Sequence, residues 1–165
     1  MSTQPTHKHL IAGIIALAVV ALDQYTKQLI EQHLPLHHSI PILKSCLTIL
    51  HTRNKGIAFG IFSGQAGATQ TVLLVLTSLG AIAFIFYLLR GLGARCLYAT
   101  VTLALILGGA IGNLIDRIRW GEVIDFIDLH WRGYHWPAFN VADSAISTGM
   151  VLLIIGMFTK KFPLR

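Results

Sequence analysis

Four stretches of the chain, residues 10–29, 71–89, 96–115 and 141–158, are almost unbroken runs of apolar side chains. None alternates with a period of two, so none reads as a strand of a membrane barrel, which needs many short alternating segments. An α-helix needs about 20 mostly apolar residues to cross a hydrocarbon core about 30 Å thick, and each run comes close to that length. The pattern therefore predicts an all-α membrane protein with four transmembrane helices. Between the first two runs, from Ile40 to Leu50, β-favouring residues prevail, and glycines follow at 56, 60 and 64. This predicts a few short strands forming a small platform on one membrane surface, with glycines permitting tight turns or close approach of another backbone. No internal repeat or low-complexity segment divides the chain, so residues 1–165 are expected to form a single domain.

Composition agrees, with 54% hydrophobic and 12% charged residues. The first run resembles a cleavable signal, since His7, Lys8 and His9 precede it and Ala16 to Ala18 mimics a small-residue cleavage site. It is read as a span because four spans place both basic ends on one face, whereas three would separate them. That face carries Lys8, Arg90, Arg95, Lys160, Lys161 and Arg165 and no acid. The other carries Lys27, Lys44, Arg53, Lys55, Arg117, Arg119 and Arg132 with all seven acidic residues. Lys and Arg alone nearly tie, and orientation is not a net-charge rule. Loop length breaks the tie, because the purely basic segments are short and the others are long enough to translocate freely. Both termini are expected in the cytoplasm and the platform outside, making it extracytoplasmic. The net charge of +6 invites a nucleic-acid partner, but half the basic residues belong to the cytoplasmic girdle, so none is expected. Cys46 and Cys96 fall on opposite faces, too far apart for a disulfide, and read as structural.

Polar residues gather at the outer ends of the spans, and each group has an ordinary structural explanation. Asp23 and Lys27 stand four apart on one helical face, where an ion pair forms. Asn54 suits a turn. Asn113, Asp116 and Arg117 end the third run, and Arg117 there suits a helix C-terminus and a pairing with Asp116. Asn140 and Asp143 match a capping residue with an acid three positions on. Taken together these explanations weaken, because ionisable residues near membrane depth are costly and several lie on the same side. Asp125 and Asp128 add carboxylates between the third and fourth runs. Asp125, between Ile124 and Phe126, should have its pKa raised by desolvation, and two carboxylates brought close share one proton, leaving one acid and one base. That is the chemistry of water-activating aspartyl proteolysis. A zinc HExxH motif is absent from the sequence, His130 and His135 suit a membrane interface better than a metal, and Ser144 has no lysine at a fixed helical offset.

Five segments then become specific in combination: DQYTK at 23–27, NKGIAFG at 54–60, GGAIGNLIDR at 108–117, GEVIDFIDLHW at 121–131 and FNVADS at 139–144. In order and spacing they resemble the signature blocks of the lipoprotein signal peptidase (signal peptidase II) family and span nearly the whole chain. The resemblance implies a bacterial inner-membrane aspartyl endopeptidase that removes signal peptides from diacylglyceryl-modified prolipoproteins just before the lipidated cysteine. It places the catalytic pair on Asp125 and Asp143, and supporting polar residues on Asp23, Lys27, Asn54, Gly56, Asn113, Arg117 and Asn140. Without it, the residues alone do not prefer Asp125 over Asp128. A monomer is expected, with membrane lipid around it and neither metal nor cofactor, and with its active site on the periplasmic side.

Two readings from other classes compete. A small proton- or ion-coupled transporter also uses intramembrane Asp, Lys and Arg, but calls for ionisable groups through the bilayer midplane and on both sides. Here the second and fourth runs lack them in their centres. A non-catalytic assembly factor has no need of paired carboxylates in converging segments.

Overall fold

The computed structural model describes residues 7–56, 68–93, 96–159 and 161. Four long helices, α1 (His7–His33), α2 (Ala68–Gly91), α3 (Leu97–Trp120) and α4 (Val141–Phe158), are each long and apolar enough to cross a membrane. Three exceed their apolar runs. The first reaches His33 and the third reaches Trp120, because the polar residues at their outer ends remain helical. Large apolar side chains such as Leu17, Leu76, Phe84 and Ile154 lie exposed on α1, α2 and α4, a surface that suits lipid and not water.

The central helix is α3. It packs against α1, α2 and α4, and its small residues let two neighbours come close. A Cβ on Gly108 would meet the backbone of Ala16 on α1, and one on Gly109 would meet the carbonyl of Ala142 on α4. Buried Ala12, Ala16, Ala99, Leu103, Ala104 and Leu107 join Ile85 and Leu89 of α2 in one core cluster. Gly121, in the left-handed region at φ 73°, ends α3 and returns its N–H to the Arg117 carbonyl.

At one end of the bundle stands an antiparallel sheet of order β1-β2-β3-β4, built from β1 (Ser39–Leu43), β2 (Leu47–Asn54), β3 (Val123–Trp131) and β4 (Tyr134–His135). The platform expected from residues 40–50 is there, but half of it comes from the segment between α3 and α4, where no strand was expected. Its register sets Thr52 opposite Asp125 and Asn54 opposite Val123. The remainder of the glycine-rich segment, with Gly60 and Gly64, lies outside the described residues, as do Arg95, Lys160 and Arg165.

The ends of α1 and α3 pack against β3, and α4 starts just after Phe139, which bridges to Ile127 of β3. Their other ends, with Lys8 and Cys96, lie on the opposite side, where the Lys8 ammonium donates to the Leu92 carbonyl. Both cysteines are free, Cys46 in the turn between β1 and β2 and Cys96 just before α3.

Candidate active site

Asp125 and Asp143 start from different elements, and the backbone of Phe139 brings them together. Phe139 exchanges hydrogen bonds with Ile127 of β3 at 2.9 and 3.1 Å, and its carbonyl also accepts the Phe126 N–H. The next residue, Asn140, is thereby pressed against β3 and at the same time caps α4. Its side-chain oxygen accepts the Asp143 N–H at 2.9 Å, and its Nδ2 donates to Asp125 Oδ1 at 2.7 Å. One wholly buried asparagine therefore holds both acids.

Two more asparagines repeat the arrangement. Asn113 accepts from Lys27 Nζ at 3.0 Å, and since an ammonium has no acceptor, its amide oxygen must face the lysine and its nitrogen must face away. That nitrogen donates to Asp143 Oδ1 at 2.7 Å. Asn54 accepts the Gly56 N–H at 2.8 Å, so its nitrogen likewise points outward, to Asp125 Oδ2 at 3.0 Å. Gly56 sits at φ 91°, where side chains are disfavoured, and a Cβ there would run into Leu74. With the backbone N–H of Asn140 reaching Asp143 Oδ2 at 3.3 Å, all four carboxylate oxygens have one donor each among the described residues. About one lone pair per oxygen stays free for a proton or for water.

Beneath this layer the Lys27 ammonium donates to Asp23 at 2.8 Å and to Asn113, and forms an ion pair with Asp116 at 2.8 Å. Asp23, on α1, also caps α4 from outside by accepting the Ala142 N–H at 2.9 Å. Asp116 accepts from Gln24 at 2.8 Å and from the Ile124 N–H at 3.3 Å, and so positions the residue before Asp125. The ordinary explanation of Arg117 in the sequence is a pairing with Asp116. The structure corrects this, because neighbours on a helix point about 100° apart and Asp116 turns inward to α1. Arg117 instead donates to Ser78 Oγ of α2 at 3.3 Å, within electrostatic reach of Asp116, Asp125 and Asp143. Gln24 and Ser78 are contributors that the sequence did not single out.

Burial, and then the nearby charge of Asp143, push the Asp125 carboxyl up to about 7, against the opposing bonds from Asn54 and Asn140. Asp128, three residues along β3, takes the other face and accepts from His135 Nδ1 at 3.0 Å. His135 stacks on His130 at the interface. Among the described residues no three His, Cys, Asp or Glu side chains converge on a point that would hold a metal ion.

Two carboxylates oriented by fixed amides, Asp125 buried and raised toward neutral pH and Asp143 half-buried beside it, are equipped for acid-base hydrolysis. The known proteins that this chain resembles agree. It is 43% identical to the lipoprotein signal peptidase of Geobacter sulfurreducens, over 96% of both chains. With that of Syntrophotalea carbinolica it shares 43% identity, over 88% of this chain and 89% of the relative. A solved bacterial membrane enzyme superposes with a TM-score of 0.80 and 33% identity, covering 90% of this chain and 88% of that one. Residues 15–159 match the family model described as signal peptidase (SPase) II, and the chain belongs to that family of membrane peptidases.

Proposed function

We propose that this protein removes the signal peptide from diacylglyceryl-modified prolipoproteins, cutting just before the lipidated cysteine with water activated by Asp125 and Asp143. The observation that carries this reading is the set of three asparagines, each with its amide orientation fixed by a donor and its N–H aimed at one of the two carboxylates. With its carboxyl raised to about 7, Asp125 carries the proton and donates it to the scissile carbonyl oxygen, while Asp143 takes a proton from water. The hydroxyl adds to the carbonyl carbon. Proton transfer to the amide nitrogen then lets the C–N bond break, giving a new carboxyl on the signal peptide and a free amine on the lipidated cysteine. Asn54, Asn113 and Asn140 orient the pair, Gly56 holds Asn54 in place, and Asp23, Lys27, Asp116 and Arg117 fix the elements beneath. The peptide and its acyl chains enter laterally from lipid.

The protein works as a single-domain monomer without metal or cofactor in the bacterial cytoplasmic membrane. Its termini face the cytoplasm and the sheet faces the periplasm, as the short basic segments at the sheet-free end favour. Family membership leaves the transporter alternative without support. The test is incubation of the purified protein with a diacylglyceryl prolipoprotein, read by mass. A product beginning at the lipidated cysteine is expected from the wild type and not from Asp125→Asn, and cleavage by that variant would refute the reading.

A further inference from the structure

Between α1 and α2, over α3, lies a cavity of about 570 Å³ that runs from His9 and Arg90 to Val20 and Ile111. Its walls are Gly13, Leu17 and Val20 of α1 and Phe86 of α2, and Leu107 of α3 forms the floor. His9 and Arg90 stand at one end, the sheet-free side, where the Lys8–Leu92 contact ties the two helices together. From His9 to Val20 the groove follows α1 for about 16 Å, close to half of a hydrocarbon core about 30 Å thick. It is therefore one leaflet deep, apolar along its length and cationic at the surface of that leaflet.

We infer that this groove is a binding site for one anionic phospholipid of the basic-side leaflet, an acyl chain lying along Gly13, Leu17 and Phe86 and the phosphate held by Arg90 and His9. Charge decides the occupant. A guanidinium binds phosphate through paired N–H groups, and His9 adds a further donor. A zwitterionic lipid brings its own cation to the same mouth, and a signal peptide brings a basic N-terminal region, so both are repelled. Gly13 supplies the width, because a Cβ there meets nothing within 4 Å. The proposed phosphate site, at His9 and Arg90, uses none of the residues assigned to the peptidase reading, so the inference does not rest on it.

Native mass spectrometry of the full-length protein, released from detergent with dioleoyl phosphatidylglycerol or dioleoyl phosphatidylcholine, tests it. The wild type should retain the anionic lipid over the zwitterionic one by about fivefold or more, the attraction of roughly one basic side chain to an anionic surface. A His9→Gln, Arg90→Gln variant should bring the ratio to near one. Gly13→Phe, which fills open space, should lose the bound lipid. Equal retention of the two lipids by the wild type, or undiminished phosphatidylglycerol on Gly13→Phe, would overturn the inference. So would a Gly13→Phe protein that keeps its lipid but no longer cleaves prolipoprotein, since a peptide would then be the occupant. If Gly13→Phe does not fold, the Arg90 variant decides alone.

Discussion

Replacing Asp143 with asparagine separates a helix cap from a proton-transfer group. Asp143 accepts from Asn113 at 2.7 Å and from the Asn140 N–H at 3.3 Å, and asparagine offers one acceptor oxygen in place of two. The longer bond is the one to be lost, at a cost of about 1 kcal/mol. Loss of a negative charge beside a helix N-terminus adds about 0.3–1 kcal/mol. The remaining caps, Asn140 on the Asp143 N–H and Asp23 on the Ala142 N–H, are untouched. A total near 1–2 kcal/mol is small against the roughly 5–15 kcal/mol that holds a typical domain together, so the variant folds. If Asp143 is the base, cleavage should nevertheless fall by about 10²–10⁴, the usual contribution of positioned acid-base catalysis. Asp125→Asn should fall as far, and the double variant scarcely further, because residues acting as one unit are strongly non-additive. Asp128→Asn, whose carboxylate serves His135, should keep substantial activity. The assay is prolipoprotein cleavage in detergent, with thermal unfolding of each variant alongside. Near-normal cleavage by a folded Asp143→Asn protein would sink the catalytic assignment.

Three further outcomes follow from the same geometry. The Asp125 carboxyl is raised from 3.8 to about 7, so the folded protein keeps a proton that the unfolded chain has released. This group's contribution to stability is full below pH 3.8 and declines as pH rises toward about 7, and Asp125→Asn should flatten that slope in unfolding measurements while wild-type cleavage drops above about pH 7. Lys27→Met leaves Asp23 and Asp116 buried without their cation and should cost about 3–5 kcal/mol, seen as a large fall in melting temperature. A membrane-impermeant maleimide applied to spheroplasts should label Cys46 in a Cys96→Ser protein and fail on Cys96 in a Cys46→Ser protein. The reverse pattern would invert the orientation.

The spans were legible because bilayer thickness imposes a length on any apolar run, and nothing else in the chain competes with that signal. Local pairs were legible too, Asp23 with Lys27 by the four-residue helical spacing and Asn140 with Asp143 by the capping pattern. Strand β3 was not anticipated. Its first residues, Val123 to Phe126, are buried on both faces, so the apolar-polar alternation that marks a half-exposed strand is missing, and only the β-branched run Val123–Ile124 hinted at it. The choice between Asp125 and Asp128 hangs on that strand, because residues three apart take opposite faces and only pairing with β2 and Phe139 says which face meets α4. The partners of Asp116 were not legible for a related reason. Its partners Lys27 and Gln24 lie on another helix, and no local spacing encodes an approach that depends on the small residues of α3.

The lengths of its bonds bear on the two explanations of Asp143, cap and reactive group. In a capping box the acid three residues into the helix reaches back to the N-cap N–H, and here that bond is 3.3 Å long. The tighter contact, 2.7 Å, comes from Asn113 on α3, which contributes nothing to capping α4. Meanwhile the first-turn N–H groups of α4 are already satisfied by side chains other than Asp143, Asn140 at 2.9 Å and Asp23 at 2.9 Å. A residue that only capped would make its tightest bond to the Asn140 N–H. Asp143 is instead held in register by a neighbouring helix whose amide is itself locked by Lys27. The capping box thus fixes where the backbone of Asp143 stands, and Asn113 fixes where its carboxylate points, toward the charge it exerts on Asp125.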